Sequence, residues 1–214
     1  MTPSLRQPLA GWMMLAALIP LLSGCFGVAA VGMGAGALMV ADRRPSDTYI
    51  SDEFVEQRAG ARIGEKYKDR VHVNVTSYNH MVLLTGEVPD EATRADMEKI
   101  VSAVPNVKTI SNELQIAAPS SLSARTSDTI LTSKVKGRFI DAGKFSANLV
   151  KVVTEAGTVY LMGLVTRKES DDAVEIARTT AGVMKVVRIM EIIPDAEARR
   201  IDGGPRNTRD APHQ

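Results

Sequence analysis

The stretch "VNVTSYNHMVLLTGEV", residues 73–88, decides the fold. Val71, Val73 and Val75 alternate with polar residues, the period of a strand with one buried face. Tyr78-Asn79-His80 then interrupts the pattern, and asparagine tolerates the positive φ that a tight hairpin turn demands. Residues 71–76 and 81–85 therefore read as a β-hairpin. The same pattern returns 77 residues later as "VKVVTEAGTVYLMGLV", 150–165. Val73, Val75, Val82, Leu84, Gly86 and Val88 fall on Val150, Val152, Val159, Leu161, Gly163 and Val165. Glu155-Ala156-Gly157 takes the turn, and 149–154 pairs with 158–162.

The repetition extends outward from the hairpins, and a repeat of this length is one supersecondary unit used twice. "NVKTISNEL" (106–114) matches "GVMKVVRIM" (182–190) at an offset of 76, after one deletion, so Val107, Ile110 and Leu114 face Val183, Val186 and Met190. Amphipathic helices precede the hairpins at 52–67 and 128–142. Second helices follow at 91–103 and 168–180, and last strands at 108–116 and 185–193. The fold class is α+β: two tandem units, each α-β-β-α-β, with helices packed on a small three-stranded mixed sheet. Gly86 and Gly163 are structural, each standing where a side chain would hinder the approach to the following helix.

This order, with "TGEV" or "MGLV" before a helix and a "GV..V" strand after it, resembles the BON domain. Two such domains behind an acylation signal are similar to the dual-BON outer-membrane lipoproteins, the DolP family. The expected boundaries are 51–117 for domain 1, 118–126 for a polar linker and 127–193 for domain 2. The tail 194–214, rich in Gly, Pro and charge, reads as disordered. Whether the domains pack together is left open by the linker.

The amino-terminal segment supplies the acylation signal. A short basic start, an apolar run from Leu9 to Leu22 and the small pair Ser23-Gly24 follow the order of a secretory signal. Leu22-Ser23-Gly24-Cys25 resembles a bacterial lipobox, which implies a signal peptide 1–24, lipidation of Cys25 and a Gly/Ala-rich tether over 25–50. A transmembrane anchor is the alternative, since the run exceeds the roughly 20 apolar residues a bilayer needs. Pro20, Gly27, Gly32, Gly34 and Gly36 argue against a continuous helix. Phe26 follows the cysteine, and by the usual sorting rule for such lipoproteins it implies the outer membrane, periplasmic side.

Composition narrows the function classes. Lysine and arginine total 26 against 25 acidic residues, and aromatics make up 4%, which gives no sign of a nucleic-acid surface. One cysteine and the scattered His72, His80 and His213 show no metal-ligand spacing. Asp171-Asp172 are adjacent on a helix and diverge by about 100°. Ser77, Ser111 and the histidines show no triad spacing, and "GMGAG" (32–36) lacks the Lys-Ser/Thr of a phosphate loop. No enzyme, cofactor or metal is expected.

The resemblance implies phospholipid binding, and the helix "SDTILTSKVKGRFID" (127–141) is the surface expected to do it. Leu131, Val135 and Phe139 form the stripe that packs on the sheet. Ile130, Lys134 and Arg138 form the neighbouring stripe, an isoleucine with two long cations suited to an anionic membrane. The expected lipid-contact set is Ile130, Leu131, Lys134, Val135, Lys136 and Arg138. The aligned stripe of domain 1 is Phe54, Arg58 and Arg62, but net charge is −1 across 52–69 and +2 across 128–144. Domain 2 is thus the membrane-facing candidate and domain 1 a packing or protein-contact partner. Two functions follow: a membrane-binding lipoprotein that supports envelope integrity, with enrichment at the division site by analogy, or an adaptor for envelope machinery such as the outer-membrane protein assembly complex.

Overall fold

The computed structural model describes residues 42–203; Cys25, the signal segment and the tether up to residue 41 lie outside the described residues, as does 204–214. Domain 1 opens with α1 (Ser46–Tyr67), followed by β1 (His72–Tyr78), β2 (Met81–Val88), α2 (Glu91–Ser102), β3 (Thr109–Asn112) and β4 (Gln115–Ile116). Domain 2 repeats the order with α3 (Leu122–Ala142), β5 (Val150–Glu155), β6 (Thr158–Val165), α4 (Arg167–Arg178) and β7 (Lys185–Ile192), and α5 (Asp195–Gly203) follows.

In both sheets the hairpin is antiparallel and the last strand returns parallel to the hairpin's second strand, giving the orders β1-β2-β3 and β5-β6-β7, with β4 continuing alongside β2. Met81 pairs Thr109 and Thr158 pairs Lys185, so the repeat's one-residue deletion lies before the last strand and leaves both ladders regular. The helices cover one face of each sheet. Val55, Ala59 and Ile63 of α1 meet Val82, Leu84 and Val88 of β2 and Met97 and Val101 of α2. Val135 and Phe139 of α3 meet Val152, Val159 and Leu161 and the small α4 residues Ala173 and Ala177.

Gly86 and Gly163 are required, though not by a helix. Gly86 sits at φ +113° opposite Val73, and a Cβ there would overlap the carbonyl of His72 in the neighbouring strand. A Cβ on Gly163, paired with Val150, would come within 2.6 Å of the Leu149 carbonyl oxygen. The obstacle in both domains is the edge-strand backbone, pulled close at the start of the hairpin.

The other faces of the two sheets pack on each other. Tyr78 and Leu83 of domain 1 bury against Tyr160, Met162 and Leu164 of domain 2. Strands buried on both faces read as continuous apolar runs, which is why "MVLLTGEV" and "TVYLMGLV" lack alternation. Ion pairs and hydrogen bonds rim the junction: Lys151 to Glu56 at 2.7 Å, and Asn79 Nδ2 donating to Glu191 at 2.7 Å.

Three expectations change at the domain ends. Residues 195–203, expected to be disordered, form α5, because Ala198 and Ile201 extend the apolar cluster between the sheets. The expected linker is partly helical: α3 starts at Leu122, where Ser121 Oγ accepts from the Ala124 amide at 3.2 Å. Residues 42–50, expected to belong to a tether, are part of the folded unit, with Ser46 opening α1. Arg43 is buried, donating to Glu169, to Asp202 and to the Leu164 carbonyl, and Arg44 lies over the Tyr78 ring while pairing with Asp42 and Asp52.

Candidate functional site

One edge of domain 2 is assembled from three segments. The carboxylate of Asp128, in α3, accepts the amide protons of Ala156 and Gly157 at 2.9 Å each and so ties the β5–β6 turn to the helix. Ala156 and Gly157 both hold positive φ, 47° and 72°. The Gly157 carbonyl then accepts from the Met184 amide at 2.9 Å, which brings the α4–β7 loop to the same place. Gly182 in that loop, at φ +103°, sits against the Leu131 side chain. The result is a shallow cleft whose lining includes Ile130, Leu131, Lys134, Ala156, Gly157 and Gly182.

Two apolar side chains stand out from this edge. Ile130 is 52% exposed and Met184 is 83% exposed. Lys134 lines the cleft with Ile130, Lys185 follows Met184 at the start of β7, both lysines are exposed, and the carboxylate of Asp128 is turned into the turn's amides. Apolar tips with cations beside them fit an interface of acyl chains below and phosphates above.

Within the sequence-predicted set, the structure keeps Ile130 and Lys134 together and separates the others. Leu131 and Val135 are buried: Leu131, 7% exposed, lines the cleft, and Val135 is enclosed by the core of domain 2. Arg138 is a capping residue: its Nη1 donates to the Ile176 carbonyl and to the Thr179 and Thr180 hydroxyls at the end of α4. Lys136 is exposed but lies on another side of the helix, about 140° from the Ile130–Lys134 direction at 100° per residue. Met184 and the β5–β6 turn were missed by sequence reasoning. Their signal was present, since Met184 aligns with Lys108 and is an apolar residue just ahead of a strand.

Domain 1 builds the same edge with different chemistry. Asp52 accepts from the Asn79 and His80 amides at 2.7 and 2.9 Å, from Ser77 Oγ at 2.7 Å and from Arg44. Burial pushes the Asp52 carboxyl up, but these donors outweigh it and hold the group below its ordinary range. Ile50 and Phe54, each 55% exposed, replace the apolar tips, and Lys108 stands where domain 2 has Met184. Asp47 lines the cleft beside Arg58. Arg62 repeats the Arg138 role, donating to the Ala103 carbonyl after α2.

The remaining candidates are engaged structurally. Asp171 pairs with Arg188, Asp172 with Lys144 and Lys168, and Ser77 is buried on Asp52. One group among the described residues could hold a metal ion, His72 with Glu87 and Glu155. No helix among the described residues is long and apolar enough to cross a membrane.

Similarity to known proteins covers both domains. The family model of the BON domain matches twice, at 51–118 and 127–194. The chain is 34% identical over 175 residues to the outer membrane lipoprotein DolP of Haemophilus influenzae (strain ATCC 51907 / DSM 11121 / KW20 / Rd), covering 80% of this chain and 90% of that one. It is 28% identical over 154 residues to the 21 kDa hemolysin of Actinobacillus pleuropneumoniae, covering 71% and 79%. It is 30% identical over 117 residues to the osmotically-inducible protein Y of Escherichia coli (strain K12), covering 53% and 58%.

Proposed function

Because the chain belongs to the BON-domain family, as a dual-BON protein of the DolP type, we propose that it is a non-catalytic lipoprotein of the outer membrane that grips anionic phospholipid with the edge of domain 2. It is anchored by acyl chains on Cys25, faces the periplasm and supports the integrity of the envelope.

The observation that carries this reading is the grouping of exposed Ile130, Met184 and Lys134 around the Gly157 turn, with Lys185 next to Met184 in sequence. Each cation near an anionic surface contributes about 1 kcal/mol, and the two apolar tips can enter the acyl boundary. A contact of this size is weak alone. Tethered by a chain of 17 residues between Cys25 and Arg43, at most roughly 60 Å long, it acts at high effective concentration. Domain 1 is a poorer lipid surface because the carboxylate of Asp47 lines its cleft, whereas Asp128 of domain 2 is taken up by the turn amides.

Flotation of the compact unit 41–214, which keeps Arg43, tests the lipid preference. It should rise with phosphatidylglycerol vesicles and stay behind with phosphatidylcholine vesicles. Equal behaviour with both lipids refutes anionic recognition. A second reading, an adaptor for envelope machinery, is favoured by the exposed Ile50, Phe54 and Tyr49 of domain 1, an apolar surface with mixed charge. Crosslinking in cells separates the two: partners lost on Phe54→Ser but kept on Ile130→Asn place the adaptor function on domain 1.

A further inference from the structure

His72 of β1, Glu87 of β2 and Glu155 of β5 meet where the two sheets face each other, two residues from domain 1 and one from domain 2. His72 Nδ1 lies 2.9 Å from Glu87 Oε2 and 3.9 Å from Glu155 Oε1, and one donor atom from each residue lies within 4.8 Å of the others. All three side chains are largely buried, at 13%, 8% and 7% exposure. Among the described residues no lysine or arginine pairs with either carboxylate; nearby Arg125 donates to Ser120 instead. With a neutral imidazole, the cluster holds two buried negative charges that a divalent cation would balance.

The surroundings already orient the donors. Asn74 Nδ2 donates to Glu155 Oε2 at 2.8 Å, which leaves Oε1 turned toward His72. The Ser120 amide donates to Glu87 Oε2 at 3.0 Å, and Ser120 Oγ lies 3.3 Å from His72 Nδ1. Such partners fix a ligand's direction around a metal. Tetrahedral zinc with bonds of about 2.0–2.2 Å needs donors roughly 3.4 Å apart. The 2.9 Å separation must open and the 3.9 Å separation close by about half an ångström each, and the two carboxylate oxygens, no more than 4.8 Å apart, must close by up to about 1.4 Å, within side-chain reach. A cleft lined by His72, Asn74, Asp128, Thr154 and Glu155 opens on the site, with Arg125 also in its wall but held by Ser120, and leaves room for a water as fourth ligand.

We propose that His72, Glu87 and Glu155 form an interdomain binding site for Zn²⁺. The imidazole selects a transition metal over Mg²⁺ or Ca²⁺. Because the donors come from both domains, the ion binds the docked arrangement and stabilises it by mass action.

The test uses the full-length lipoprotein in detergent, stripped with a chelator, and titrated with ZnCl₂ or MgCl₂ at about pH 7.5. The expected result is one zinc equivalent bound, with a Tm that rises with zinc and not with magnesium. Glu155→Gln and His72→Gln should weaken binding at least about tenfold, the usual cost of disturbing a metal's ligands, and abolish the Tm shift. His80 and His213 remain in every variant, so any binding they contribute is common to all. Equal zinc affinity in wild type and variants overturns the proposal, as does a wild-type protein whose Tm zinc leaves unmoved. Should the variants misfold, imidazole ¹⁵N spectra of the unaltered protein decide: zinc should move the His72 Nδ1 resonance, and an unmoved resonance overturns the site.

Discussion

Replacing Ile130 and Met184 together by asparagine removes both apolar tips of the domain 2 edge. Full burial of an isoleucine or methionine side chain contributes about 1.5–3 kcal/mol. Ile130 already has half its surface covered, so lipid adds roughly 1 kcal/mol there; Met184, at 83% exposure, adds roughly 2 kcal/mol. The double variant should therefore bind vesicles about a hundredfold more weakly. Neither side chain is in a buried cluster, so Tm should stay within a degree or two. The assay is sedimentation of fragment 41–214 with phosphatidylglycerol vesicles over a lipid titration. Lys134→Ala should cost about 1 kcal/mol, about fivefold, and its effect should fade as salt shortens the Debye length. Lys136→Ala, on another side of α3, serves as the control and should change little. A double variant that binds within about threefold of wild type, with Tm unchanged, refutes the reasoning.

Other outcomes follow from the fold. Gly86→Ala adds a Cβ at positive φ against the His72 backbone, and urea unfolding should show a loss of about 3 kcal/mol or more, whereas Gly163→Ala, without the φ penalty, should lose less. Arg43→Met strips Glu169 of its buried partner and Asp202 of one ion pair, a loss of about 2–3 kcal/mol, and limited proteolysis should then cut within α5. Acid should destabilise the protein below about pH 4. Asp52 and Glu169 both titrate below their ordinary values in the folded state, Glu169 because Arg43 and the Thr166 amide outweigh its burial. Their contribution is therefore complete above the unfolded pKa values and is lost as pH falls through the lower folded ones. Urea midpoints at about pH 5, 4 and 3 should fall steadily, and an Asp52→Asn variant should start lower and fall less.

The repeat carried most of the architecture. Paired valines and the turn residues marked the two hairpins and the chain order of the elements, since a period-2 pattern determines which side chains face the core, while the place of the last strand beside β2 and β6 came from the structure. The α3 stripe of Leu131, Val135 and Phe139 was legible for the same reason. Domain packing was signalled by Leu83, Met162 and Leu164, apolar on the face that an open sheet would give to water, yet a run of that kind names no partner. Arg43 lies ahead of the first repeat, in a stretch with no periodic pattern, and only its long-range partners Glu169 and Asp202 reveal its role. The edge was half legible: helical spacing joined Ile130 to Lys134, while Met184 reaches them through a turn carbonyl. His72, Glu87 and Glu155 were beyond any local spacing, because the third residue arrives from the other domain.

The central claim is that the domain 2 edge enters an anionic membrane. Met184 reports on it directly when the full-length lipoprotein, carrying ¹³C-methyl methionine, is placed in phosphatidylglycerol nanodiscs doped with nitroxide-labelled lipid. The Met184 methyl signal should broaden strongly, while those of Met97 and Met162, enclosed in the protein interior, should persist. A Met184 signal as sharp as theirs would contradict the account.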